Sequence, residues 1–372
     1  MEGYLLHMDL PSTEIIADDL GWAERSNYWL QFTPGKYHRR IPKPDYRQPI
    51  ILAGHGVRIS VDKGTLLLRN GFTHYPQRRE TWRLFAGGWR LPSRIVLIDV
   101  DGGITFDAIA WLAQHEVPLI QINWRGELIN IVSADRELII PEERRAQLQA
   151  RNKDGGIAFG TELIRKKIAN SADTLRRAFK RTAAIDQAIE ELENKNRQLW
   201  HNPPRTIPQL LGIEGKAAWT YFGVWRTCEM KWKGTNKHPI PENWHYLGWR
   251  TSEYETVRSS NRNATHPINA MLNYAYAVLE SQVFMAITAF GLDPTIGILH
   301  GNSGKQGLVY DLMEPHRPIV DLKVLDFVRK RTFHRADFTI RSDGVCRLNP
   351  ELARQVVRAV MSKDKPTVLR QM

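Results

Sequence analysis

A chain of 372 residues with 42% hydrophobic and 25% charged residues has an ordinary globular composition, long enough for one large domain or two of usual size. Lysine and arginine outnumber aspartate and glutamate by 52 to 40, and a net charge of +12 favours a polyanionic partner, nucleic acid first among them. Only Cys228 and Cys346 are present, which excludes a disulfide scaffold and a cysteine-based zinc finger and fits a reducing, cytoplasmic setting.

Residues 1–48 are polar and punctuated by Pro11, Pro34, Pro42 and Pro44, so they are taken as an N-terminal extension without an assigned role. The opening MEGYLLHMDL carries acids and too short an apolar run for a secretory signal. From Pro49 the texture is strand-like: PIILAGHGVRISVDKGTLLLRNG has short β-branched and leucine-rich runs parted by glycine turns, which predicts antiparallel hairpins. RIVLIDVDGGITFDAIAWLAQHEVPLIQINW follows as strand, turn, helix and strand, with Ala108, Trp111 and Leu112 at helical spacing and Asp101 or Thr105 near the helix cap.

After about Pro141 the pattern becomes helical. EERRAQLQARNK and AFGTELIRKKIANSADTLRRAFKRTAAIDQAIEELENKNRQLW have few breakers. They concentrate Arg165, Lys166, Lys167, Arg176, Arg177, Lys180 and Arg181, which form either a solvated face or a phosphate-gripping patch. NPPRTIPQ interrupts the helices, and a further helix starts near Leu210. The loop KWKGTNKHPIPENWHYLGWR interleaves aromatic and basic residues, suited either to stacking on unpaired bases or to anchoring itself. YAYAVLESQVFMAITAFGL is broken by Glu280, Ser281 and Gln282 and predicts a buried helix, not a membrane span. The fold class expected is α+β: a small β-rich N-terminal domain at 49–140 followed by a larger all-α catalytic domain at 141–372.

Four acids and imidazoles stand out in the helical half. Glu214 sits between Gly212 and Gly215 after an apolar run, His300 ends another, and Asp311 and Glu314 are three apart, the spacing of neighbours on a helix face. A carboxylate against apolar surroundings has to be paired, protonated or metal-bound. One imidazole with two or three carboxylates suits Mg²⁺ or Mn²⁺; salt bridges to Arg317 or Lys305 are the competing account. GNSGKQG, from Gly301 to Gly307, lacks the length and the Ser or Thr of a phosphate-binding loop. Asn269 and Asn273, four apart on one helix, suit hydrogen bonding across the core.

The sequence resembles the CRISPR-associated integrase family over roughly residues 50–330. GHGVRISVDKGTLLLRNG and DGGITFDAIAWLAQHEVPLIQINWRGEL are similar to its β-rich domain. LLGIEGKAAWTYF, HPINAMLNYAYAVLE, GILHGN and LVYDLMEPHRPIVD are similar to four blocks of its helical domain, in the family's order. The resemblance implies that Glu214, His300 and Glu314 bind the metal and that Asp311 assists as an additional acid. It implies metal-dependent DNA endonuclease chemistry in which the 3′-hydroxyl of a new spacer DNA is joined to a phosphodiester at the repeat boundary. Arg250, Arg262, Lys305, Arg317 and Tyr221 are then candidate DNA contacts. A homodimer is implied, bridged by a small ferredoxin-like CRISPR adaptation partner into a heterohexamer, with no membrane involved. The same site would also serve a related mobile-element integrase or a branched-DNA repair nuclease, and a non-enzymatic basic scaffold would use the acids only in salt bridges.

Overall fold

The computed structural model describes residues 48–73, 79–87, 91–133, 139–151, 154–248, 263–301 and 306–361, all within one compact unit. The 1–48 extension therefore lies almost wholly outside the described residues.

The N-terminal part is a six-stranded sheet ordered β3-β2-β1-β4-β5-β6. Its strands are β1 (Ile50–Asp62), β2 (Thr65–Arg69), β3 (Thr81–Leu84), β4 (Ile95–Ile104), β5 (Leu119–Ile122) and β6 (Leu128–Val132). The expected hairpins are present at β1–β2, β2–β3 and β5–β6, but the centre of the sheet is parallel, β1 with β4 and β4 with β5. Helix α1 (Phe106–Gln114) makes the β4–β5 crossover, which a parallel pair requires. Thr105 caps α1, its side chain accepting the Ala108 N–H. The DVDGG stretch belongs to β4 itself, where Asp99 has φ of 46° and the pairing with β1 shifts register.

Alternation along the strands gives the sheet two buried faces. Leu52, Ile95, Leu97 and Leu119 turn to α1 and pack with Ala108, Trp111 and Leu112. Their neighbours Ile51, Ala53, Val96, Ile98, Ile120 and Ile122 turn the other way and join the core of the helical part. The sheet is thus the floor of the helical core.

After the exposed helix α2 (Pro141–Arg151), that core is built by α3 (Asp154–Ala178), α4 (Ala183–His201), α5 (Ile207–Val224), α6 (Pro267–Ala289), α7 (Gly307–Met313), α8 (Arg317–Lys330) and α9 (Pro350–Met361). Helix α6 is the predicted buried helix, apolar nearly all round and covered on every side along its first three turns. Asn269 and Asn273 are buried within it. Between α5 and α9 the part expected to be all helical also carries two small two-stranded sheets, one pairing Lys231–Trp232 with Thr332–Phe333 and one pairing Phe338–Ile340 with Cys346–Leu348. The aromatics of the 231–247 loop anchor it: Trp232 stacks on Trp244 at 5.6 Å, Phe333 and Phe338 pack beside them, and the Trp244 indole N–H donates to the Thr265 carbonyl at 2.8 Å. Among the described residues no helix is long and apolar enough to cross a membrane.

Candidate active site

Helix α5 brings Glu214 inward by its spacing. Leu210, Ala217 and Tyr221 are buried, and Glu214 falls on the same stripe four residues after the first and three before the second. Thr206 fixes the start of this helix by accepting the Gln209 N–H. Opposite lies α3, whose Lys167, Asn170 and Thr174 occupy one face. Asn170 donates to the Pro315 carbonyl and Thr174 to the Pro318 carbonyl, both at 2.8 Å, which ties α3 to the turn that carries Glu314. That turn, Glu314–His316, is a single tightened turn between α7 and α8.

The two glutamates meet at Lys167. Its ammonium Nζ is 2.5 Å from Oε1 of Glu214 and 2.5 Å from Oε2 of Glu314, and the Arg317 Nε adds a second cation 3.2 Å from Oε1 of Glu314. Burial opposes ionisation of the Glu314 carboxyl, but Arg317 and Lys167 prevail and hold its pKa at about 2. Burial also works against the Lys167 ammonium, and the two carboxylates overcome it and raise the pKa above its ordinary value. Although so close to Lys167, Glu314 Oε2 has no aligned hydrogen-bond partner among the described residues.

Asp311 and Glu314 do not act on a common point, contrary to what their spacing alone predicts. The Asp311 carboxylate, wholly buried, accepts the backbone N–H groups of Ile298 at 2.5 Å, Leu299 at 3.1 Å and His300 at 3.0 Å. It also lies 2.8 Å from Nδ1 of His300. The physical reason is that α7 ends at Met313: Asp311 remains on the helix facing the 298–300 loop, while Glu314 starts the tightened turn facing α3. Since a carboxylate only accepts, Nδ1 carries the hydrogen, and Nε2 is the ring nitrogen that accepts or ligates when the imidazole is neutral. His300 is near enough to Glu314 to help lower its pKa.

A cavity of about 230 Å³ opens beside the acids, lined by Lys167, Ser171, Glu214, Tyr221, Phe222, Tyr276, Glu314, Arg317 and Asp321. Its far wall is a buried pair of tyrosines on one carboxylate: Tyr221 donates to Oδ2 of Asp321 at 3.0 Å and Tyr276 to Oδ1 at 2.6 Å. Tyr221, expected to position a DNA backbone group, therefore sits in this wall with its hydroxyl engaged by Asp321. Arg317 lies at the cavity with its guanidinium 4.9 Å from the centre of the Tyr276 ring. Arg250, Arg262 and Lys305 lie outside the described residues. Of the basic patch predicted on α3 and just beyond it, Arg165, Arg176, Arg177 and Arg181 pair with Glu162, Glu193, Asp173 and Asp186. Lys167, sorted with them from sequence, belongs to the acid pair instead.

Among the described residues no three acidic, histidine or cysteine side chains form a ready-made metal cluster. The donor chemistry nevertheless fits a divalent cation. Two carboxylates converge on the Lys167 ammonium, a buried oxygen of Glu314 lacks an aligned donor, and Asp311 orients an imidazole alongside.

A helical core floored by a mixed sheet, with an acid pair on one lysine and a carboxylate-held histidine beside a cavity lined by both acids and cations, in a chain of net charge +12, has the features of a nucleic-acid-processing protein. The family model described as CRISPR associated protein Cas1 matches residues 52–362, and the chain belongs to that family. CRISPR-associated endonuclease Cas1 1 of Archaeoglobus fulgidus is 30% identical over 289 residues, 72% of this chain and 77% of that protein. A Pyrobaculum aerophilum protein of the same name is 27% identical over 328 residues, 84% and 95% of the two chains. Among solved structures, a casposase bound to integration product is 25% identical, with a TM-score of 0.66 over 84% of this chain and 81% of that one. The fold is also shared with a Cas1 protein from Thermotoga maritima, at a TM-score of 0.61 and 17% identity over 87% and 94% of the two chains.

Proposed function

We propose that this chain is a CRISPR adaptation integrase that joins the 3′-hydroxyl of a new spacer DNA to a phosphodiester at the repeat boundary. One P–O bond forms as another breaks, so the step needs no external energy source. The observation that carries this reading is the approach of Glu214 and Glu314 to a single cation, in a basic chain that the Cas1 family model matches over residues 52–362. Glu214, Glu314 and the Nε2 nitrogen of His300 would hold Mg²⁺ or Mn²⁺. A divalent ion there supplies charge stabilisation to a reacting phosphodiester.

The chain's own residues do the rest. Asp311 fixes the His300 ring and the backbone of residues 298–300, so the imidazole is presented in one orientation. Arg317 keeps Glu314 ionised and presents positive charge to the cavity, where a DNA phosphate would lie. With water in place of the 3′-hydroxyl the same site cleaves DNA, in keeping with the endonuclease names of its relatives. Spacer and repeat DNA are the substrates, the protein works as a homodimer in the cytoplasm, and a small ferredoxin-like partner completes a heterohexamer. A Cas6-RT-Cas1–Cas2 complex is among the structures of similar fold.

The test is an integration assay with a 3′-hydroxyl DNA fragment, a repeat-bearing plasmid and Mn²⁺. Joined product from the wild-type chain, absent without divalent ion, supports the reading; plasmid cleavage without joining would favour a nuclease. The likeness to a casposase supports a second reading, an integrase with another target. A repeat array and a small partner gene beside the coding sequence would decide for the first.

A further inference from the structure

The Lys167 ammonium stands between the two carboxylates that the proposed function assigns to a metal ion, 2.5 Å from each. We propose that Lys167 is the resident counter-cation of this acid pair, and that a divalent ion loads only by displacing its ammonium from Glu214 and Glu314. The inference rests on the reading of Glu214, His300 and Glu314 as the ion's ligands.

Charge balance supports it first. Lys167 and Arg317 together offset the charge of the two glutamates. A divalent cation added with the ammonium in place would meet a like charge at contact distance in a poorly solvated site, where repulsion is weakly screened.

Geometry then distinguishes the two cations. Arg317 is held as a planar group over the Tyr276 ring, against Glu314. Lys167 carries a point charge on a four-carbon flexible stem, and the cavity beside it gives that stem room to turn. The glutamates are meanwhile carried by elements that stay fixed without the ammonium: α5 by its buried stripe, and the Glu314 turn by the Asn170 bond to its Pro315 carbonyl and the Thr174 bond to the Pro318 carbonyl at the start of α8. Lys167 is thus a positioning residue and a brake, holding the acids together and delaying their use.

The experiment is Mn²⁺ binding, followed by electron paramagnetic resonance of free Mn²⁺ and by thermal melting, in wild type, Lys167→Met, Lys167→Arg and Glu214→Gln. Lys167→Met keeps the stem and removes the charge, so it is expected to bind Mn²⁺ about tenfold or more tightly than wild type. Lys167→Arg keeps the charge on a planar group and is expected to bind Mn²⁺ no more tightly than wild type, and adding Glu214→Gln to Lys167→Met abolishes the gain. Equal or weaker binding by Lys167→Met, with wild-type binding intact, overturns the brake and leaves the metal reading standing. Absence of Glu214-dependent Mn²⁺ binding in every variant overturns the metal reading itself, and the brake with it. Should Lys167→Met fail to fold alone, recovery of its melting transition in millimolar Mn²⁺ supports the proposal, and failure to recover overturns it.

Discussion

Nδ1 of His300 lies 2.8 Å from Oδ1 of Asp311, and the same carboxylate accepts three consecutive backbone N–H groups from the loop that delivers the histidine. One buried side chain therefore sets both the path of the backbone and the orientation of the ring. Asp311→Asn puts an NH₂ group against at least one of these donors. Integration activity is expected to fall roughly 10–100-fold, as for other residues that orient a ligand. Stability should fall by about 1–3 kcal/mol through unsatisfied donors. Thermal melts and the strand-transfer assay measure the two effects, and an unaltered rate would remove Asp311 from the site.

Glu214→Ala, His300→Ala and Glu314→Ala should each abolish metal-dependent strand transfer while leaving the fold intact by circular dichroism. Glu214 and Glu314 converge on Lys167 from segments distant in sequence and Asp311 holds His300 alongside, so losing any one removes a proposed donor. Retained full activity in one variant would strike that residue from the proposed ligands.

Glu314 gives a pH prediction with a definite sign. Its folded pKa of about 2 is below the ordinary 4.5, so the unfolded chain binds the proton more readily and folding stability rises with pH across that interval. This contribution is full above about pH 5 and is lost as pH falls toward 2, on the order of 3 kcal/mol from one carboxyl. Denaturant melts from pH 6 to pH 2 should show a steeper loss in wild type than in Glu314→Gln, which carries no titrating group. Parallel curves would contradict the assignment.

Tyr221→Phe removes one of the two hydroxyl donors to Asp321 and should lower stability by about 1–3 kcal/mol. DNA affinity and its salt dependence should stay as in wild type, because the hydroxyl belongs to the cavity wall. A selective loss of DNA binding with unchanged stability would restore the phosphate-contact role expected from sequence.

The overall charge of +12 predicts that DNA affinity declines steeply with salt, by roughly 10³–10⁵ between 50 and 200 mM if about 6–10 phosphates are contacted. Fluorescence anisotropy of a labelled duplex measures the slope. A flat response would refute extended phosphate contact.

Much of this was legible in the sequence because it is periodic. The alternating strands, the Thr105 cap and the apolar α6 are local patterns, and Glu214 lies in register with Leu210, Ala217 and Tyr221. The parallel centre of the sheet was not legible, since pairing β1 with β4 across about 45 residues leaves no local mark. Lys167 was hidden for the same reason. Its partners lie 47 and 147 residues away, and nothing in RKKIANS distinguishes it from the solvated basic residues around it. The only hint was polar Lys167, Asn170 and Thr174 recurring at helical spacing within a helix that otherwise buries Ile164, Ile168 and Leu175. Asp311 shows the converse, where correct spacing suggested a shared target that the end of α7 separates.

The six-stranded sheet has no spare face. Its Ile51, Ala53, Val96, Ile98, Ile120 and Ile122 side complements the helices, so a fragment cut near residue 140 would present that row of aliphatic side chains to water. The polypeptide changes texture at that point, and the aliphatic row packs across it. Fusion, splitting or exchange of halves at this position would have to supply a substitute lining, and insertions are better tolerated where few side chains cross from one element to another.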